Sequence, residues 1–215
     1  ANAPFGNHVT NEINWQGHDP ARLIDNLRPV RLWFATADGR PGVYDDPVTD
    51  PGGFAGSAAV ESLTHTSTDL FLKHLREAHM TAVVYDYGAG THPWPYWARD
   101  LRRFVPTLMR TFNDPPARPR TISYKTINPR WKQWGWTVSI KRADHLAFSE
   151  LRNAGPSGFT FGGSGVATVV TPAFKNVGQP YKVVVGGHSS LMKPDKRGRL
   201  HIRVPLGATD HQVSV

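Results

Sequence analysis

The chain has 215 residues, 39% of them hydrophobic, and Lys plus Arg exceed Asp plus Glu by 25 to 17, a net charge of +8. That length allows one large domain or two small ones, and that apolar content supports a buried core. Cysteine is absent, which excludes a disulfide framework, a thiolate nucleophile and a thiolate metal site.

No window approaches the roughly 18 consecutive apolar residues of a membrane span, and the first thirty residues carry no charged-then-apolar leader pattern. In "DPARLIDNL" (19–27), Asp19 as N-cap and Pro20 at the first helical position predict a short helix start. "VRLWFATA" (30–37), ended by Asp38-Gly39, predicts a strand buried on both faces. "DDPVTDPGGFAGS" (45–57) reads as loop. From Ala58 to Met80, apolar residues at 60, 63, 70, 71, 75 and 78 trace a helical stripe, and "TAVVYDY" (81–87) is a second buried strand. "WPYWARDLRRFVPTLMRTF" (94–112) predicts an amphipathic helix kinked at Pro106. Strand, helix, strand, helix with short connections indicates α/β structure with a parallel sheet.

"NDPPARPR" (113–120), with its three prolines, predicts a stiff linker. After it, "TISYKTI", "GWTVSIKR", "GFTFGG", "VATVVTP", "YKVVVGG" and "RLHIRVPL" are short β-rich runs between turn residues. They predict an antiparallel β-sandwich over residues 121–215. The basic residues concentrate after residue 98, in "ARDLRR", "ARPR", "PRWKQ", "IKR" and "KPDKRGR". Scattered through turn-rich sequence, they read as a solvated basic face with affinity for an anionic cell-wall polymer, not as a nucleic-acid surface. Trp131, Trp134 and Trp136 could form a sugar-stacking row, but alternation places Trp134 and Trp136 on one strand face inside the sandwich.

In an α/β sheet the reactive groups stand on loops beyond the carboxyl ends of the strands. The loop after "VRLWFATA" offers Asp38 and, further on, Glu61; the loop after "TAVVYDY" offers His92. A carboxylate followed by a histidine fits the last two members of a Ser…acid…His order. The histidine acts as base and then acid, and the carboxylate fixes its tautomer. Asp38 directly follows its strand, although "DGRPG" is also ordinary turn chemistry; Asp45 and Asp46 are further candidate acids. His65, His74 and His79 lack an H-E-x-x-H pattern, so they read as solvated helix positions, and no metal or cofactor is expected.

"NEINWQGHDPARLIDNLRPVRLWFATADGRPG" and "GAGTHPWPYWARDL" resemble the later half of the mycolyltransferase (antigen 85) family and related actinobacterial α/β-hydrolase esterases, over residues 10–112. The resemblance implies that residues 1–112 are the C-terminal portion of an α/β-hydrolase domain. It implies that His92, within "GTHPWPYW", is the catalytic histidine, and that Glu61 in "GSAAVESLTHTSTDLFLKHL" occupies the place of the family's acid. Trp94 and Trp97 either pack the helix start or form one wall of an apolar acyl site. The family's nucleophilic serine and oxyanion hole precede the matched region. Three substitutes fail: "GHSSL" (187–191) lacks the second glycine and the following helix of a nucleophile elbow, "FGGSGVA" (161–167) is a Gly-rich turn, and Ser57 lacks a preceding strand.

The resulting expectation is the acid and base portion of a serine esterase or acyltransferase, inactive as this chain alone. Its partner is the N-terminal portion of the same hydrolase bearing the serine, and its substrate an ester or acyl compound. The loop-like opening "ANAPFGNHVT" suits a cut surface loop, and secretion to the cell envelope follows from the resemblance. The alternative is a non-catalytic cell-wall or polymer-binding protein on a degenerate hydrolase scaffold.

Overall fold

A computed structural model describes residues 4–142, 145–173, 175–207 and 209–215, so the first three residues of the opening loop lie outside the described residues. The chain divides into two units, Arg28–Arg118 and Ala1–Leu27 with Pro119–Val215.

The chain opens with one helical turn, α1 (Glu12–Gln16), and a 3-10 turn at Ile24–Leu27. The helix expected from Asp19 and Pro20 does not propagate. Asp19 Oδ1 does accept the Ala21 N–H at 2.9 Å, as an N-cap would, and the Leu23 N–H donates to the Asp19 carbonyl at 3.2 Å, but the structure stops at that turn. Residues 1–27, which the sequence assigns to the α/β part, cluster with the β-rich part. The Asn26 amide explains this, because it donates to the Lys125 carbonyl and accepts the Lys125 N–H, each at 2.8 Å. Asn26 thus acts as an extra backbone partner for the first strand of that unit.

The Arg28–Arg118 unit contains β1 (Trp33–Thr36), α2 (Pro51–Glu77), β2 (Val83–Asp86) and α3 (Trp94–Asn113). β1 and β2 pair in parallel, Trp33 opposite Val83 and Thr36 opposite Asp86. Two features differ from the sequence reading. First, α2 begins at Pro51, inside the stretch read as loop. Asp50 caps it by accepting the Gly53 N–H at 3.0 Å, and Pro51 occupies the first turn, where a missing N–H has no intrahelical partner to lose. Capping outweighs the poor propensity of Gly52 and Gly53. Second, the strands are not buried on both faces: β1 is half-buried, and Val83, Val84 and Tyr85 of β2 are 48%, 41% and 42% exposed. Only two strands form this sheet among the described residues, so each has one edge without a strand partner there, while Phe71 of α2 packs on Phe34 and Phe104 of α3 on Trp33. α3 continues through Pro106 to Asn113.

The other unit is all-β after Pro119: β3 (Ile122–Thr126), β4 (Arg130–Gln133), β5 (Trp136–Lys141), β6 (Ser149–Gly155), β7 (Gly158–Gly162), β8 (Gly165–Val170), β9 (Tyr181–Val185), β10 (His188–Met192), β11 (His201–Leu206) and β12 (His211–Ser214). They form a six-stranded sheet, order β10-β9-β12-β7-β6-β3, and a four-stranded sheet, order β11-β8-β5-β4. Every pairing is antiparallel. Alternation builds the core: Trp136, Val138 and Ile140 of β5 face inward with Ile202 and Val204 of β11, against Leu151, Phe159, Phe161, Val183 and Val213 of the larger sheet. Both sheets contribute to one apolar cluster, a sandwich-like arrangement without a barrel.

β6, "SELRNAG", has no clean alternation to read in the sequence. Its pairing with β7 shifts register between Arg152 and Gly155, where Asn153 adopts a left-handed φ of 49°. The tryptophan reading needs correction too. Trp131 and Trp136 are buried, but Trp134 is 44% exposed. Gln133 pairs with Trp136, so Trp134-Gly135 is a two-residue hairpin turn with φ of 49° and 88°, which breaks the alternation. No helix among the described residues is long and apolar enough to cross a membrane.

Candidate functional site

The parallel register of β1 and β2 brings their carboxyl ends side by side, and the backbone zips the loops beyond them together. The Asp38 N–H donates to the Gly88 carbonyl at 2.8 Å, the Gly39 N–H to Gly90 at 3.0 Å, and the Gly90 N–H to Arg40 at 2.8 Å. Position 90 requires glycine, since a Cβ there would stand 2.8 Å from the Tyr96 ring and 2.9 Å from that of Tyr87.

Glu61 reaches this junction from α2. Buried carboxylates are rare unless paired, and Glu61, with 8% of its side chain exposed, is held at both oxygens. Oε1 accepts the Ala37 N–H at the end of β1 at 2.9 Å, and Oε2 lies 2.7 Å from His92 Nδ1. An ionised carboxylate only accepts, so Nδ1 carries the proton and the lone pair sits on Nε2. The imidazole is 31% exposed and stands edge-on to Trp97, with ring centroids 4.8 Å apart; Trp97 in turn meets Trp94 at 5.0 Å. Trp94 is 75% exposed and Trp97 43%.

Asp38 is not brought to His92. Its carboxylate binds the Arg40 guanidinium at 2.5 and 2.8 Å, and those bonds, with the Arg40 N–H, hold its pKa below the ordinary carboxylate value. Asp46 caps its own turn through Val48 and Thr49. His65 contacts Thr36 Oγ1 at 3.3 Å and Asp69 at 3.4 Å, and His74 contacts Glu77 at 3.1 Å. Among the described residues no group of three or more His, Cys, Asp or Glu could hold a metal ion.

Four residues around His92 carry a connection that the sequence reading did not find. The His92 N–H donates to Ser57 Oγ at 2.7 Å, and the Ser57 hydroxyl donates to Thr91 Oγ1 at 3.0 Å. The Thr91 hydroxyl donates to Asp45 Oδ1, while Asp45 Oδ2 accepts the Tyr96 hydroxyl at 2.7 Å and the Gly42 N–H at 2.8 Å. Burial, then the bond to Asp45, push the Tyr96 phenol up to about 12, so it remains a donor at neutral pH. The available signal was spacing: Ser57 lies one turn before Glu61 on α2, on the same face. Thr91→Val keeps the shape but leaves Asp45 and Ser57 short of a partner. Urea unfolding should show a loss of about 1–3 kcal/mol that Thr91→Ser largely restores; equal stability of Val and Ser variants would show the chain of hydroxyls to be idle.

The other serines weighed as nucleophiles lie in the β-rich unit. Ser189 and Ser190 lie in β10 opposite Val184 and Val183, within a strand and not at a strand-to-helix turn. Ser164 sits between Gly163 and Gly165, whose φ values are 145° and 96°, in the turn from β7 to β8.

No protein-family model matches the chain, and no solved structure matches it. The chain is 29% identical over 99 residues to the diacylglycerol acyltransferase/mycolyltransferase Ag85B of Mycolicibacterium smegmatis, covering 45% of this chain and 29% of that protein. It is 31% identical over 114 residues to the diacylglycerol acyltransferase/mycolyltransferase Ag85A of Mycobacterium gordonae, covering 51% of this chain and 32% of that protein. The match thus spans about a third of each relative's length. Over about half its length, this chain is distantly related to the antigen 85 mycolyltransferases.

Proposed function

We propose that the chain carries the acid and the base of a serine esterase or acyltransferase of the α/β-hydrolase type, whose nucleophilic serine and oxyanion hole are supplied by strands outside this chain. The observation that carries the reading is the Glu61–His92 contact of 2.7 Å at the carboxyl ends of two parallel strands. His92 Nε2 accepts the proton of the serine hydroxyl as it attacks the ester carbonyl, then returns it to the leaving alkoxide. Water or another alcohol, deprotonated by the same nitrogen, releases the acyl group. Glu61 fixes the tautomer and stabilises the imidazolium between the two steps. Trp94 and Trp97, exposed beside the imidazole, offer an apolar wall to an acyl chain.

Two further observations support it. β1 and β2 pair in parallel and each has one edge without a strand partner among the described residues, which suits a sheet that continues into further strands. The relatives' names describe acyl transfer. Secretion to the cell envelope belongs to the same proposal and rests on the same relationship.

The test is a fluorophosphonate serine probe on native material resolved under denaturing conditions. Label on a polypeptide or segment other than residues 1–215, with none on this chain, is expected. Label on this chain when purified alone, or ester turnover by it alone, would overturn the assignment of the nucleophile to an outside segment.

A further inference from the structure

The basic segments "PRWKQ" and "IKR" look scattered in the sequence but fold into neighbouring antiparallel strands, β4 and β5. In the four-stranded sheet Trp131, Trp136, Val138, Ile140, Ala167, Val169, Ile202 and Val204 enter the core. Strand alternation therefore turns Arg130 and Lys132 of β4, Lys141 of β5 and Arg203 of β11 to the opposite face, where all are exposed.

The register fixes how they line up. Arg130 is opposite Ser139, Ser139 opposite Thr168, and Thr168 opposite Arg203. A row of cation, hydroxyl, hydroxyl and cation thus crosses the sheet over about 14 Å at the usual strand spacing. The next row runs Lys132, Thr137, Val170, His201. None of the four strands contains an Asp or Glu. Asp195, just before β11, is engaged by Arg199 and His201 at one edge.

The other sheet is built differently. On its side away from the core, Arg152 pairs with both Glu150 and Asp210. The sandwich therefore has one face of mixed, paired charge and one face whose cations have no carboxylate partner among the described residues.

We propose that this outer face of the four-stranded sheet docks an acidic polysaccharide, a chain bearing about one anion per sugar. Like charges held on one face without local partners raise the local concentration of anions. Widely spaced cations separated by hydroxyls match a sparse, hydroxyl-rich polyanion. Duplex DNA is a poorer fit: it carries a charge every ~1.7 Å of its axis, and its major groove admits a helix or a two-stranded ribbon, whereas these cations stand on the face of a four-stranded sheet. Trp134, 44% exposed at the tip of the β4–β5 hairpin, adds a flat ring against which a sugar can stack. The reading is independent of the ester chemistry.

The experiment measures binding of the 215-residue chain to polygalacturonate, to uncharged pullulan and to duplex DNA across a salt series. Two triple variants are compared, Arg130→Glu/Lys132→Glu/Arg203→Glu on the face and Lys182→Glu/Arg102→Glu/Arg118→Glu elsewhere, with identical change of net charge. The face variant should lose at least tenfold in affinity for polygalacturonate, and its slope of log K against log salt should fall by about two to three. The control variant should stay within about twofold, and pullulan should not bind. Equal losses in the two variants would reduce the effect to net charge and overturn the proposal. So would failure of the unaltered chain to bind polygalacturonate, or tighter binding to DNA.

Discussion

Replacing His92 with alanine in a protein that also carries the proposed nucleophilic serine should lower p-nitrophenyl ester turnover by about four to six orders of magnitude. In the proposed mechanism the group removed moves the proton in both half-reactions, so no partial function is expected at that position. Stability needs a separate control, because the variant also takes a partner from the buried Glu61 carboxylate, leaving it only the Ala37 N–H. An uncompensated buried acceptor costs about 1–3 kcal/mol. His92→Asn is the cleaner variant: its side-chain amide can still donate towards Glu61 Oε2, but it offers no basic nitrogen. It should match the alanine variant in turnover while unfolding nearer to the unaltered protein in urea. Turnover within about tenfold of the unaltered protein in either variant would remove His92 from the catalytic role.

Much of the architecture was legible because it rests on periodicity. The apolar runs of β1 and β2 and the stripes of α2 and α3 report directly which elements form. So do the alternating strands β5, β8 and β11, whose inward residues are all apolar. What escaped depends on single contacts. The start of α2 is decided by one Asp50 carboxylate on the Gly53 N–H, and the allegiance of residues 1–27 by one Asn26 amide on the Lys125 backbone. Trp134 escaped because a two-residue turn interrupts an otherwise continuous pattern of tryptophans. Such local hydrogen bonds leave little trace in composition.

At the candidate site the same division holds. Chain order offered a carboxylate after the first parallel strand and His92 after the second, and the resemblance pointed to Glu61, on the helix between them, as that carboxylate. Order alone left Asp38 open beside Glu61, since both lie beyond the end of β1. The structure pairs the Asp38 carboxylate with Arg40, an interaction two residues away in sequence that resembles any turn, and places Glu61 against His92. Asp45, Ser57, Thr91 and Tyr96 were hidden for another reason. Their connection joins three separate segments, and none of the four residues is unusual in its own neighbourhood.

Glu61→Gln tests the division of labour between the two carboxylate oxygens. If the amide oxygen stays on the Ala37 N–H, the amide nitrogen must face His92 Nδ1 and donate to it. The imidazole then carries its proton on Nε2 and presents no lone pair to the serine, the wrong tautomer for a base. Turnover at neutral pH should fall by about four orders of magnitude in kcat, with KM within a few-fold and the fold retained, since a neutral amide is no harder to bury than the carboxylate. Glu61→Asp should also be impaired, because a side chain shorter by one methylene cannot keep both the 2.9 Å bond to Ala37 and the 2.7 Å contact with His92. Asp38→Asn, in contrast, should change kcat by less than about threefold, since that carboxylate serves Arg40. The three variants together assign the acid. Loss in Glu61→Gln with activity kept in Asp38→Asn ties catalysis to the buried carboxylate, whereas the reverse pattern would mean that the Asp38–Arg40 pair opens during turnover and that Glu61 merely fastens α2 to the end of β1.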